Sequence, residues 1–237
     1  MPKLFCISDV HGFYDEMIYA LDNAGFDPED ENKWLVVCGD VWDRGSKPLE
    51  VMRYLTGLKR VVLVKGNHEQ LFEECCERGY PHTYDFSNGT YSTICKLGGE
   101  SYGRSFSECC IIAQAKTEPF LKKMVNYFET ENYVFVHSSI PFGDDWRHAH
   151  QHEWNDAMWV NPFEEFDETK YFLNKQLIFG HWHASWPRAK WGGKPEFGDG
   201  ADFSIYYGNG YIGLDACTAY SGKVNVLVVE DEFLNNH

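Results

Sequence analysis

Along residues 1–80, short and largely apolar runs alternate with longer stretches in which apolar residues recur at every third or fourth position. The runs Leu4-Phe5-Cys6-Ile7, Trp34-Leu35-Val36-Val37-Cys38 and Arg60 to Val64 are short, largely apolar and have the length of strands. Between the first two, Tyr14 to Leu21 repeats apolar residues at helical spacing, carries Asp15 and Glu16 near its start and stops at Gly25. Ser46 and Pro48 open a second helix with Leu49, Met52 and Leu55 on one side, ending at Gly57. Strands joined by such crossover helices must be parallel, so this part of the chain reads β-α-β-α-β-α.

Farther on the pattern weakens. From about residue 80 to 116 it dissolves into Gly, Ser, Thr and aromatic residues, which predicts an insertion over the strand ends with short helical pieces at most, forming one wall of a substrate cleft. A helix around Pro119 to Phe128 and a strand from Asn132 to Val136 are predicted next, followed by a segment from Phe142 to Lys175 with no assignable pattern. Gln176 to Phe179 reads as a strand, and Tyr211 to Asp215 with Lys223 to Glu230 as a closing pair of strands. The expectation is a single α/β domain over residues 1–237, interrupted by that insertion.

Composition changes this picture little. A 43% hydrophobic and 16% aromatic content belongs to a folded globular chain. No apolar stretch approaches membrane-spanning length and the first strand begins at Lys3, so a cytoplasmic protein with no membrane partner is expected. The eight cysteines include the neighbours Cys75-Cys76 and Cys109-Cys110 and show no paired spacing, which fits neither a disulfide framework nor a structural zinc site. A formal charge of −15 without a basic run argues against nucleic acid as a partner.

The chemistry sits where the strands end. Ser8-Asp9-Val10-His11-Gly12 follows the first strand, Gly39-Asp40-Val41-Trp42-Asp43-Arg44-Gly45 the second and Gly66-Asn67-His68-Glu69 the third. Later strands deliver His137 and Gly180-His181-Trp182-His183. The C-terminal ends of the strands are where open α/β sheets bind ligands. Carboxylate, imidazole and amide oxygen together form the donor set of Mn²⁺, Fe²⁺ or Zn²⁺, whereas Ca²⁺ or Mg²⁺ would use few histidines. Such a set exceeds the needs of one ion. Two ions about 3.5–4 Å apart, sharing one carboxylate, would use it and would clamp a phosphoryl group.

This series of motifs resembles the phosphoprotein phosphatase branch of the calcineurin-like metallophosphoesterase superfamily, and is most similar to small bacterial and phage serine/threonine phosphatases and their diadenosine tetraphosphatase relatives. The resemblance extends over nearly the whole chain. It implies a four-layer sandwich of two packed mixed β-sheets flanked by helices. It also implies that Asp9 and His11 bind the first metal, that Asp40 bridges, and that Asn67, His137 and His181 bind the second, with manganese expected and iron or zinc as alternatives. His68 would protonate the leaving oxygen, oriented by Asp43, while Arg44 would hold phosphate through its planar fork. The implied reaction is a single in-line displacement by metal-bound hydroxide, with no phosphoenzyme.

Two positions depart from that pattern. His183 completes a Gly-His-x-His element that in the wider superfamily adds a ligand to the first metal, so it is carried as a metal ligand here. Asn161, shortly after Trp159, stands where the small bacterial enzymes usually have a phosphate-binding Arg, a gap that Arg147 or Arg188 would have to fill. Glu69 reads as a helix-opening acid and Asp215 as a strand-end residue. The reading is hydrolysis of phosphate monoesters, with phosphoserine and phosphothreonine in proteins ahead of dinucleoside polyphosphates. A non-catalytic metal-binding scaffold is suggested by Asn161 alone and opposed by the complete donor set.

Overall fold

The computed structural model describes residues 1–99, 102–165 and 174–234. Strands β1 (Lys3–Ile7), β2 (Lys33–Cys38) and β3 (Val61–Val64) alternate with helices α1 (Tyr14–Ala24), α2 (Pro48–Gly57) and α3 (Asn67–Arg78), as the apolar periodicity implies. α1 ends on Gly25 at φ 81° and α2 starts with Pro48 in its first turn. β1 pairs parallel with β2 and β2 parallel with β3, with Leu4 opposite Trp34 and Leu35 opposite Val61.

Residues 83–121 are more helical than the short pieces expected of the insertion, one of their helices running to 16 residues. They form α4 (Thr83–Asn88), α5 (Thr90–Gly98) and α6 (Phe106–Leu121). α6 opens with a reciprocal cap, in which the Ser105 hydroxyl accepts the Glu108 N–H at 3.4 Å and Glu108 accepts the Ser105 N–H at 2.8 Å. Its buried positions are Cys109, Cys110, Ala113, Thr117 and Phe120, mostly small or weakly apolar side chains that leave a faint helical signal in sequence. The helix predicted at Pro119 to Phe128 is therefore misplaced: Pro119 lies in the last turn of α6, and Phe128–Glu129 is strand β4.

The second half continues with β5 (Tyr133–Phe135), α7 (Gln151–Ala157), α8 (Pro162–Glu165), β6 (Gln176–Phe179), α9 (Ser185–Gly192), β7 (Tyr206–Tyr207), β8 (Tyr211–Gly213), α10 (Thr218–Ser221) and β9 (Leu227–Glu230). Among the described residues the segment from Phe142 to Lys175 thus contains a 3-10 turn, Trp146–His148, and the short helices α7 and α8, and its residues 166–173 lie outside the described residues. β8 and β9 are not a closing pair. β8 lies in the second sheet, of order β4-β5-β6-β8-β7, while β9 completes the first, of order β3-β2-β1-β9, antiparallel to β1.

Alternation along the strands builds the layers. Phe5, Ile7, Leu35, Val37 and Leu63 face the helices of the first half, where Met17, Leu21, Val51, Leu55, Phe72 and Ile94 bury. Their neighbours Leu4, Cys6, Val36, Cys38 and Val64 face the other way, onto Phe135, Ile178 and Ile212 of the second sheet. The opposite side of that sheet packs Val134, Leu177 and Phe179 against Trp154 and Phe163. The result is helices, sheet, sheet, helices, with both faces of each sheet covered. Each fully buried Val, Leu, Ile or Phe contributes about 1.5–3 kcal/mol. Truncating Phe135 between the sheets would cost about 3–5 kcal/mol. Among the described residues, no helix is long and apolar enough to cross a membrane.

Candidate active site

The strand ends of both sheets converge on one cluster. Asp9, His11, Asp40, Asp43, Arg44 and His181 all have left-handed backbone, with φ between 48° and 74°. That conformation is costly for residues with a Cβ and persists only where surrounding bonds enforce it. Here the two tight turns brace each other: Asp9 N–H donates to Gly39 O at 3.2 Å, His11 N–H to Asp40 O at 2.8 Å and Gly45 N–H to His11 O at 2.7 Å. Thr218 Oγ1 donates to Asp9 O at 2.9 Å. Gly39 is required by close approach, since a Cβ there would lie 2.5 Å from His137 Nδ1. Gly180 is required likewise, because its Cβ would collide with Asp9 Oδ2 and Ser8.

Two groups of donors share Asp40. His11, Asp40 and His68 offer ligand atoms within 4.8 Å of one another, and Asp40, His137 and His181 form a second such group. Asn67 Oδ1 joins the second, 2.8 Å from His137 Nε2 and 3.1 Å from His181 Nδ1. Asp9 lies between the groups, its Oδ2 accepting the His181 N–H at 2.9 Å and its Oδ1 4.0 Å from His11 Nε2. Asp9, His11, Asp40, Asn67, His137 and His181 are thus brought together from five strand ends.

The donor set fits cations. His11 Nδ1 donates to Trp42 O at 3.0 Å and His137 Nδ1 to Cys38 O at 2.9 Å, which leaves each Nε2 as a lone pair aimed into the cluster. Backbone carbonyls that fix the outer nitrogen are the usual support for metal-ligating imidazoles. Between His137 Nε2 and Asn67 Oδ1 two lone pairs therefore face each other at 2.8 Å, a repulsive arrangement that a cation would relieve. Burial, with the nearby carboxylates of Asp215 and Asp40, pushes the Asp9 carboxyl well above its usual range. Burial and His137 push His181 down to about 3, so its neutral, ligating form prevails. Burial also works against the Asp40 charge, but His137, His68, His11 and His181 outweigh it and hold that carboxyl ionised.

Beside the cluster stands a buried His–Asp pair. His68 Nδ1 donates to Asp43 Oδ2 at 2.7 Å, and both residues are buried. Burial opposes the imidazolium, yet Asp40 and the bonded Asp43 raise the His68 pKa overall. Arg44 directs Nη1 to His11 Nε2 at 2.6 Å and Nη2 to within 3.2 Å of His68 Nε2. Its guanidinium faces the inner edge of both histidines, where a phosphoryl oxygen would meet it.

His183 is not brought in. Its Nε2 bonds Glu196 Oε1 at 2.9 Å, and it belongs to neither donor group among the described residues. Arg147 and Arg188 do not fill the place left by Asn161. Arg147 is forked on Glu129 at 2.8 and 2.6 Å, and Arg188 is held by Asp202 at 3.2 Å and by the carbonyls of Ala184, Ser204 and Ile205. Asn161 itself starts α8, its Oδ1 accepting the Phe163 N–H at 3.1 Å.

Sequence reasoning overlooked the parts played by four residues, Glu69, Thr90, Thr93 and Asp215. Glu69 does more than open α3: its carboxylate accepts the N–H groups of Asp40 at 2.9 Å, Val41 at 3.0 Å and Gly66 at 2.9 Å. Thr90 Oγ1 donates to Asp43 Oδ2 at 2.7 Å, and Thr93 Oγ1 accepts the Asp43 N–H at 3.1 Å. Asp215 is buried close enough to Asp9 to repel its charge. The acid of Gly-Asn-His-Glu was a visible signal for the first. A Thr beside a Gly signals no more than a turn.

This arrangement is a donor set for divalent cations at the strand ends of a two-sheet α/β fold. The calcineurin-like phosphoesterase family matches residues 2–198, and the chain belongs to that family of hydrolases. The symmetrical bis(5'-nucleosyl)-tetraphosphatase of Klebsiella pneumoniae (strain 342) is 47% identical over 66 residues, which covers 27% of this chain and 23% of that protein. The match thus spans under a quarter of the relative's length. The cold-active protein-tyrosine phosphatase of the psychrophile Shewanella sp. superposes with a TM-score of 0.62 at 18% identity, covering 97% of this chain and 76% of that one. A Saccharomyces cerevisiae protein serine/threonine phosphatase with similarity to human phosphatase PP5 gives a TM-score of 0.58 at 13% identity, covering 100% of this chain and 81% of that one. At these identities the two structures speak to the fold alone.

Proposed function

We propose that this chain hydrolyses phosphate monoesters, with phosphoserine and phosphothreonine in proteins as its substrate class. In this reading Asp9 and His11 hold one divalent cation, Asn67, His137 and His181 hold another, and Asp40 is shared between them, manganese being the metal chosen. Such a pair supplies charge neutralisation of the phosphoryl oxygens and an activated water. The chain's own side chains do the rest. Arg44 orients the phosphoryl group through two N–H donors, and His68, steadied by Asp43, delivers a proton to the departing alkoxide.

The observation that carries the monoester reading is the cationic endowment of the site. Arg44 points into the cluster, whereas Arg147 and Arg188 are engaged elsewhere and Asn161 caps a helix. A single fork matches one phosphoryl group. A chain of four phosphates would call for several cations, in a protein of net charge −15. A second reading, hydrolysis of dinucleoside polyphosphates, is favoured by the name of the Klebsiella relative, although that likeness covers 27% of this chain.

The test is a comparison of kcat/KM on a phosphoserine peptide and on diadenosine tetraphosphate with Mn²⁺. Faster hydrolysis of the peptide is expected. A preference for the dinucleotide of tenfold or more would overturn the monoester reading in favour of the second.

A further inference from the structure

We infer that Thr90, at the start of α5, is a positioning residue for the imidazole of His68, acting through the Asp43 carboxylate. The inference rests on the reading of His68 as proton donor and goes beyond it. Thr90 is fully buried and its Oγ1 donates to Asp43 Oδ2 at 2.7 Å. That same oxygen accepts the His68 Nδ1 proton at 2.7 Å. The other carboxylate oxygen, Asp43 Oδ1, is buried and has no hydrogen-bond partner among the described residues. The carboxylate is therefore held at one oxygen by two donors, and without Thr90 only His68 itself would hold it. A carboxylate anchored by nothing but the ring it is meant to orient turns with that ring.

The rest of α5 supports a built contact. Thr93, also buried, accepts the Asp43 backbone N–H at 3.1 Å, so one turn of helix grips Asp43 by both its backbone and its side chain. Asp43 needs that grip because its φ is 74°. Gly89, immediately before α5 at φ 91°, lies so close to Arg44 that a Cβ there would collide with the Arg44 backbone. Gly89 caps α5 without a side chain, and the hydroxyl of Thr90, the first residue of the helix, is directed across to the loop after β2.

The experiment separates positioning of the acid from general damage by varying the leaving group. An alkoxide departs only with a proton, whereas p-nitrophenolate departs readily without one. The Mn²⁺-loaded wild type, Thr90→Val, Thr90→Ala, Thr90→Ser and His68→Asn are assayed on a phosphoserine peptide and on p-nitrophenyl phosphate, with metal content measured for each. Thr90→Val, or Thr90→Ala should the valine variant not fold, is expected to raise the ratio of kcat on p-nitrophenyl phosphate to kcat on the peptide by about tenfold, the scale on which small misplacements act. Metal content should stay at the wild-type level, and Thr90→Ser should restore the ratio. Combined with His68→Asn, loss of the Thr90 hydroxyl should change the ratio no further. An equal loss on both substrates, no loss, or an additive loss in the double variant would overturn the inference. If His68→Asn raises the ratio and Thr90→Val does not, Thr90 alone is misassigned. If His68→Asn leaves the ratio unchanged, the proton-donor reading falls, and the role of Thr90 with it.

Discussion

The carboxylate of Glu69, at the head of α3, accepts the backbone N–H of Asp40 at 2.9 Å and so locks the loop that carries the shared carboxylate. It also takes the N–H groups of Val41 and Gly66, at 3.0 and 2.9 Å. Glu69→Gln would turn an amide N–H toward at least one of these donors. The expected loss is about 1–3 kcal/mol of stability, the cost of leaving a buried donor unpaired. Thermal melting of the metal-free protein checks it, and an unchanged midpoint would show that the loop needs no such anchor.

Asp40→Asn and His68→Asn should separate the two halves of the chemistry. Asp40 contacts both donor groups, so its replacement is expected to strip metal and activity together. His68→Asn should keep the metal and lower turnover on an alkyl phosphate by about 10²–10⁴-fold, the worth of a positioned acid. Elemental analysis alongside steady-state kinetics reads both outcomes. Full turnover in His68→Asn would mean that another group supplies the proton.

Glu129 should make stability sensitive to acid. Its bonds to Arg147 lower its pKa below 4.5 against the opposing effect of burial, with Lys175 adding at 2.8 Å. A depressed folded pKa gives stability that is present above the unfolded value and lost as pH falls through the folded one. The gap between wild type and Glu129→Gln is therefore expected to be widest at neutral pH, at about 2 kcal/mol, and to close below pH 4.5. That figure is under the cost of a fully buried pair because 38% of the Arg147 side chain is exposed. Urea unfolding across pH 3–7 measures the gap; a constant difference would rule out the linkage.

Asn161→Ala should behave as a cap deletion. Loss of its bond to the Phe163 N–H is expected to cost about 0.5–2 kcal/mol. KM for a phosphomonoester should be unchanged. A rise in KM of severalfold would return Asn161 to the phosphate site.

The strand ends were legible because doubly buried strands are bound to read as unbroken apolar runs, so a polar cluster after Ile7, Cys38 or Val64 has no packing explanation. Asp9, Asp40, Asn67, His137 and His181 could be picked out on that ground before any coordinates. α6 could not, since Cys109, Ala113 and Thr117 bury without the bulk that makes periodicity visible. His183 shows a different limit. Spacing puts it two residues from His181, but whether its ring turns to the cluster or to Glu196 depends on a loop with no periodic signal. Thr90 was hidden for a related reason, because a hydroxyl announces nothing until its partner, Asp43, is known.

The donors of the cluster come from both sheets: Asp9, Asp40 and Asn67 follow β1, β2 and β3, while His137 and His181 follow β5 and β6. Elsewhere the sheets meet through apolar side chains such as Cys6, Val36, Phe135 and Ile178, and just after β9 Asp231 accepts from Thr130 Oγ1 at 2.6 Å and from the Asn132 N–H at 2.8 Å. An ion seated across that seam would act as a rivet, adding a fixed point to the alignment of the two slabs at the strand ends. Its affinity then gauges how well the slabs are lined up. Trimming Ile178, which packs in that seam, to alanine should loosen the ion's hold as well as the fold's.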